Sequence, residues 1–307
     1  MCIRDSSPDG RLLVKDLDLV LRPGENLFVS GANGAGKTSL FRVLAGLWAP
    51  ARGTVSRPAA SAPGSVANDR SRSFATDFGD RLRLPSSVPS APFLHDLNAR
   101  VFYVPQRPYL AHGSLRDQVV YPNVALAESN AARVKRERRA AGRGSKAPSA
   151  GGGGSRSRGK DASSSSAAEE EDERVKRCLR LAGLGKFVDG TLGVPGLGLD
   201  TRHLEWNDVL SGGERQRIGF ARLFYHAPPF AILDEATSAI NPDEEGTLYE
   251  AVIAQGTTVV SIAHRLELRA CHELELKLLG GGEGGWELHE RAPGGKRDWA
   301  LKSASAQ

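Results

Sequence analysis

Cysteine is scarce in this chain. Cys2, Cys178 and Cys271 are odd in number, widely separated and without a C-x-x-C pair, which argues against a disulfide framework or a zinc ribbon and fits a reducing compartment. No stretch approaches the ~18 consecutive apolar residues that a membrane span requires, so these 307 residues do not cross a bilayer by themselves. No apolar segment follows Met1 to Ser6, so no secretory leader is expected there; residues 1–6 read as a non-native or truncated start. Internal repeats are absent too.

Positive charge dominates one tract, which an acidic run, Glu169 to Glu173, closes. Residues 133–160 hold ten Lys or Arg against the single Glu137, and subtracting that local +9 from the chain's +5 leaves −4 for everything else. The tract contains Gly and Ser but no interleaved aromatic rings, so it lacks the stacking platforms of a nucleic-acid site and reads as an unstructured insertion; no nucleic-acid partner is expected. Two segments interrupt an otherwise patterned chain: about 59–98, rich in Ser, Ala, Pro and Arg, and about 124–172, of low complexity. Removing about 40 and 49 residues from 307 leaves roughly 218, the size of one domain. The remainder alternates short apolar runs with helical patterns, as an α/β fold with a mainly parallel sheet does. The domain is expected over 7–292, with 293–307 as a tail.

The apolar run Asn26 to Ser30 leads directly into Gly31-Ala32-Asn33-Gly34-Ala35-Gly36-Lys37-Thr38, and Ser39 to Leu47 continue with helical patterning. Strand, glycine-rich loop and helix in that order make a P-loop. Its glycines let successive N–H groups of Gly31, Asn33, Gly34, Ala35, Gly36 and the first helical residues, Lys37 to Ser39, turn toward a phosphate. Lys37 reaches the β and γ phosphates of a nucleotide, and the Thr38 hydroxyl is placed to ligate Mg²⁺.

A second run, Phe230 to Leu233, ends in Asp234-Glu235, as a buried parallel strand delivering carboxylates at its C-terminal edge would. Asp234 suits Mg²⁺, directly or through water, and Glu235 suits the base that deprotonates an attacking water. Between the two lies Leu210-Ser211-Gly212-Gly213-Glu214, followed by apolar residues at helical spacing. Ser211 and Glu214 form a capping box. Two glycines in the first turn lower helix propensity by about 1 kcal/mol each, which makes sense where a phosphate approaches the backbone.

Leu210 to Glu214 resembles the signature of the ABC ATPases, and the order of P-loop, signature and Asp-Glu strand is that family's order. Gln106 in Tyr103-Val104-Pro105-Gln106 resembles the Q-loop glutamine, which in the family senses Mg²⁺ and the γ-phosphate and touches the transmembrane partner. His264, after Thr258 to Ile262, resembles the switch histidine that bonds the γ-phosphate and aligns the water. Ser238 to Asn241 sits at the D-loop, where the family pattern has aspartate in place of Asn241. The stretches Phe41 to Trp48, Pro105 to Tyr109, Gly113 to Pro122, Phe224 to His226 and Gly282 to Trp286 are similar to the peroxisomal fatty-acyl half-transporters of subfamily D. The likeness departs in two places: the membrane-spanning half is absent, and the short N-terminus lacks the aromatic residue that stacks on adenine in this family.

The resemblance implies a RecA-like P-loop ATPase core with an α-helical signature subdomain and small antiparallel β elements. It implies the cofactors ATP and Mg²⁺, with Thr38, Gln106 and Asp234 toward the metal, and Glu235, His264 and Gln106 as the catalytic set. It also implies a second ABC ATPase domain, identical or not, bound head to tail so that ATP lies between one P-loop and the other's Ser211, Gly212 and Gly213. A transmembrane domain, the cytosolic face of the peroxisomal membrane, and fatty acid or fatty acyl-CoA as cargo complete the expectation. A cobalamin or peptide transporter cassette and a soluble ABC ATPase without a transport role are the alternatives.

Overall fold

The computed structural model describes residues 2–6, 12–50, 52–58, 101–122, 161–188, 198–203, 205–263, 265–280, 283–291 and 299–304, with backbone alone for 2–6, 12, 13, 161–168, 202 and 203. His264, the segment 59–98 and the first part of the 124–172 segment lie outside the described residues.

Five short runs form the parallel centre of one sheet: β3 (Leu27–Gly31), β5 (Val101–Val104), β8 (Phe230–Asp234), β9 (Thr258–Ile262) and β10 (Leu274–Gly280). Antiparallel β11 (Gly285–Arg291) and β12 (Trp299–Ala304) extend it, giving the order β12-β11-β10-β3-β9-β8-β5 among the described residues. Period-two alternation splits its side chains between two cores. Phe28, Phe102, Val104, Ala231, Leu233 and Val259 point into one. Leu27, Val29, Tyr103, Ile232, Val260 and Ile262 face the other. Both faces are therefore covered, which is why these strands read as nearly continuous apolar runs.

Helix α1 (Lys37–Leu44) covers the second face with Leu40, Phe41 and Val43. The first face meets a helical layer: α2 (Leu115–Val120), α3 (Asp161–Leu181), α4 (Trp206–Val209) and α5 (Gly212–His226), beside α6 (Pro242–Ala254). Smaller antiparallel elements complete the fold. They are a three-stranded sheet of β1 (Cys2–Ser6), β2 (Leu12–Asp18) and β4 (Arg52–Thr54), and the pair β6 (Gly113–Ser114) and β7 (Arg202–His203).

Three boundaries differ from the sequence expectation. Residues 2–6, read as a non-native or truncated start, lie between β2 and β4 and pair with both; so short a strand carries no periodicity a sequence reader would notice. Residues 299–304, read as tail, pair with β11, and the Arg269 guanidinium sits over the Trp299 ring at 4.9 Å. The segment read as a disordered insertion up to Asp172 is helical from Asp161 onward. Its Ser/Ala/Glu composition looked like low complexity, yet Ala and Glu are good helix formers. Val175, Cys178 and Leu179 then bury the end of that helix. Asp172 pairs with Arg116 at 2.5 Å, and Glu171 accepts from the Tyr225 hydroxyl.

Candidate active site

The site is assembled at the sheet edge where β3, β9, β8 and β5 end in that order. Gly31 closes β3 with φ +142, and a Cβ there would stand 2.5 Å from the Leu278 carbonyl oxygen of β10, so only glycine fits. The loop then enters α1 through Gly36 in the left-handed region, with no side-chain cap on the helix. Its first N–H groups and dipole are thereby left to face a phosphate. The Lys37 ammonium bends back across the loop and donates to the carbonyls of Gly31 at 2.8 Å and Ala32 at 2.9 Å. At the other end of α1, Arg57 donates to the Leu44 carbonyl at 2.7 Å and anchors the helix, a contact that nothing in the sequence announced.

Asp234, 6% exposed, is bonded through both carboxylate oxygens. Oδ1 accepts from the Thr38 hydroxyl at 3.4 Å and Oδ2 from the Tyr103 hydroxyl at 2.9 Å. Burial pushes this carboxyl above the ordinary range; the Tyr103 hydrogen bond opposes that, and neighbouring Glu235 reinforces it. Burial and Asp234 together also push the Tyr103 phenol up. Tyr103 was missed by motif reading; its only signal was the alternation of β5, which places it on the face of α1.

Glu235 adopts the left-handed region at φ 49, rare for a residue with a side chain. Its N–H donates to the Ile262 carbonyl at 3.0 Å, and its Oε2 accepts from Gln106 Nε2 at 2.7 Å. Lys37, Thr38, Gln106, Asp234 and Glu235 thus form two linked pairs and a cationic clamp at one sheet edge. His264 lies outside the described residues, while its neighbour Arg265 donates to Ile240 O at 3.1 Å and to buried Glu245 at 2.9 Å.

Ser211, Gly212 and Gly213 begin α5. The Ser211 hydroxyl accepts from Glu214 N at 3.3 Å and Ser211 N donates to Glu214 Oε2 at 2.7 Å. Burial alone would raise the Glu214 carboxyl, but bonds from Lys186 and Ser211 hold it below its usual value. Gly213 leaves no room for a side chain, since a Cβ would stand 2.8 Å from the Ala239 carbonyl. No hydrogen bond or ion pair among the described residues joins Ser211, Gly212 or Gly213 to the P-loop.

Residues 14–238 match the family described as ABC transporter. The chain belongs to the ABC transporter family. Within it, similarity runs to subfamily D. The chain is 34% identical over 283 residues to ABC transporter D family member 1 of Arabidopsis thaliana, covering 92% of this chain and 15% of the relative. It is 36% identical over 279 residues to the lysosomal cobalamin transporter ABCD4 of Homo sapiens, covering 90% and 33%. It is 32% identical over 277 residues to the human ATP-binding cassette sub-family D member 3, covering 90% and 30%. The chain therefore spans a third or less of the length of these relatives.

In structure, this ABC domain resembles a bacterial Atm1-family ABC exporter with ATP bound, at TM-score 0.56 and 22% identity over 90% of this chain and 36% of the other. That likeness concerns the fold: the mixed α/β arrangement is that of the P-loop ABC ATPases. The domain is an ABC-type ATPase that binds ATP. Among the described residues no helix is long and apolar enough to cross a membrane.

Proposed function

We propose that this chain, over residues 2–304, is the ATP-driven half of a membrane transporter, and that its ATP site is completed by a second ABC ATPase domain packed head to tail. The observation that carries the reading is the division of the site. Lys37, Thr38, Asp234, Glu235 and Gln106 converge on one sheet edge, while among the described residues the helix N-terminus at Ser211, Gly212 and Gly213 has no bond to the P-loop.

In this reading the loop N–H groups from Gly31 to Ser39 and the Lys37 ammonium hold the phosphates, and the partner's signature residues close over the γ-phosphate. Thr38, Asp234 and Gln106 offer hydroxyl, carboxylate and amide oxygens, a hard donor set that suits Mg²⁺. The Thr38 hydroxyl donates to Asp234, so the two side chains that would hold the ion are already side by side. When bound, the ion neutralises charge on the β and γ oxygens. Glu235 takes the proton of the attacking water, Gln106 positions that carboxylate, and His264 aligns the water against the γ-phosphate.

The proposed cargo is a very-long-chain fatty acid or its CoA ester, moved into peroxisomes with the cassette on the cytosolic face. Support comes from the stretches around Trp48, Arg107 and Trp286 and from the subfamily D relatives. The similarity to a lysosomal cobalamin transporter favours a second reading, with cobalamin as cargo. Glu235→Gln tests the catalytic assignment: turnover is abolished while ATP binding persists, because the Lys37 and Thr38 contacts remain. Turnover at the wild-type rate in that variant would remove Glu235 from the role. Reconstitution of the full-length transporter in liposomes, with ATPase stimulation measured against acyl-CoA and cobalamin, separates the two cargoes.

A further inference from the structure

The helix that begins with the signature also carries Gln216, a polar residue in its second turn, 4% exposed, to which no motif role attaches. Its Oε1 accepts from Ala239 N at 2.8 Å. A backbone N–H only donates, so this bond fixes the orientation of the amide. Nε2 is thereby turned toward the Ser238 hydroxyl at 2.9 Å, the Gln106 carbonyl at 3.1 Å and the Glu235 carbonyl at 3.4 Å. A buried amide always needs partners; here the partners are the segment of Gln106, the residue that follows β8, and the loop leading to α6.

Glu235 gives that arrangement its weight. A left-handed conformation is strained for a residue with a Cβ, and Glu235 holds it at φ 49. Its N–H is tied to Ile262 O at 3.0 Å, and its carbonyl accepts from Ser238 N at 3.2 Å besides Gln216. Its carboxylate is aimed by Gln106, whose own carbonyl Gln216 also holds.

We infer that Gln216 is a positioning residue for catalysis: it locks Glu235, Gln106 and the Ser238-Ala239 turn to the helix that presents Ser211 to Gly213. Movement of the signature helix is thereby transmitted to the base of the same chain. The inference rests on the reading of Glu235 as the base, and it adds a residue to which that reading assigns nothing.

The test uses the full chain with Gln216→Met, which keeps the length of the side chain and removes every hydrogen bond, and Gln216→Glu, which retains the acceptor for Ala239 and removes the donors. Amide hydrogen exchange reports the link without any need for turnover. Exchange at Ala239 is expected to speed up roughly tenfold in Gln216→Met, while Phe220 to Leu223 of α5 keep their protection and the thermal midpoint stays within about 3 °C. In steady state kcat falls about tenfold or more in both variants with KM for ATP within about twofold. Unchanged exchange at Ala239 would overturn the inference, as would a kcat loss accompanied by an equal rise in KM or by lost protection along the whole of α5. Glu235→Gln, measured in parallel, keeps the two readings apart: wild-type turnover there removes the base assignment, whatever Gln216 does.

Discussion

Gln106 and Glu235, 129 positions apart in sequence, share a 2.7 Å hydrogen bond from the amide Nε2 to the carboxylate Oε2. A neutral amide aims a carboxylate without adding charge to it. The two residues meet because β5 and β8 are adjacent and parallel in the sheet, so the segments leaving both strands emerge at the same edge.

Gln106→Ala is therefore expected to lower kcat about ten- to a hundredfold, less than the loss in Glu235→Gln, with ATP binding changed by no more than about threefold. Steady-state turnover and equilibrium nucleotide binding on the same preparation check this. A Gln106→Ala chain that turns over like wild type would show that the hydrogen bond has no part in the chemistry.

The helical end of the second insertion sets a limit on what can be removed. Arg116 is 1% exposed and pairs with Asp172 at 2.5 Å and Asp200 at 3.3 Å. Deleting 124–160 is expected to leave the thermal midpoint within a few degrees, since that tract has few apolar residues to bury. Extending the deletion to Asp172 strips a carboxylate from a buried guanidinium and removes the Glu171 partner of Tyr225, at a cost of about 3 kcal/mol or more. Calorimetry on the two deletions distinguishes them; equal midpoints would mean that these contacts contribute nothing.

The P-loop, the Asp-Glu strand end and the signature could be located from sequence because each couples an unusual residue pattern to a fixed local geometry. The apolar run before Gly31 and the one before Asp234 specify parallel strands of one sheet, separated by β9, and the capping box of Ser211 and Glu214 starts α5 at the signature. Long-range pairings were not legible. The contact of Tyr103 with Asp234 and those of Gln216 with three segments depend on which strand edges and turns the fold brings together. The strand at Cys2–Ser6 was missed because its residues carry no periodic apolar pattern, and the one at Trp299–Ala304 because edge pairing asks little of a sequence. The helix at Asp161 was missed because tertiary burial of Val175, Cys178 and Leu179 stabilises a segment whose early composition looks featureless.

A buried histidine sets an acid limit on stability. His272 is 0% exposed, its Nδ1–H donating to Leu268 O at 2.7 Å and its Nε2 accepting from the Ser261 hydroxyl at 2.6 Å. Burial pushes this imidazole down from 6.5 to about 4, the bond to Leu268 opposing. Between those values the unfolded chain binds the proton that the folded chain refuses. The contribution is thus complete above pH 6.5 and is lost as pH falls toward 4, by about 1.4 kcal/mol per pH unit at most. His226, also pushed down by burial, steepens the same slope. Urea unfolding at pH 7.5 and 5.5 should show the loss in the wild type and a smaller loss in His272→Gln; equal losses would assign the slope to other groups.

The head-to-tail site is the central claim, and mixing two inactive chains tests it most directly. Lys37→Ala removes the phosphate clamp, and Ser211→Arg blocks the helix N-terminus that the partner is proposed to use. Each variant alone should be inactive. In an equal mixture, a dimer of one copy of each holds one intact site, built from Lys37 of one protomer and Ser211 of its partner. Turnover is then expected to return to roughly a quarter of the wild-type rate by random pairing. A mixture as inactive as its parts, or a Ser211→Arg chain that hydrolyses ATP by itself at the wild-type rate, would contradict the shared site.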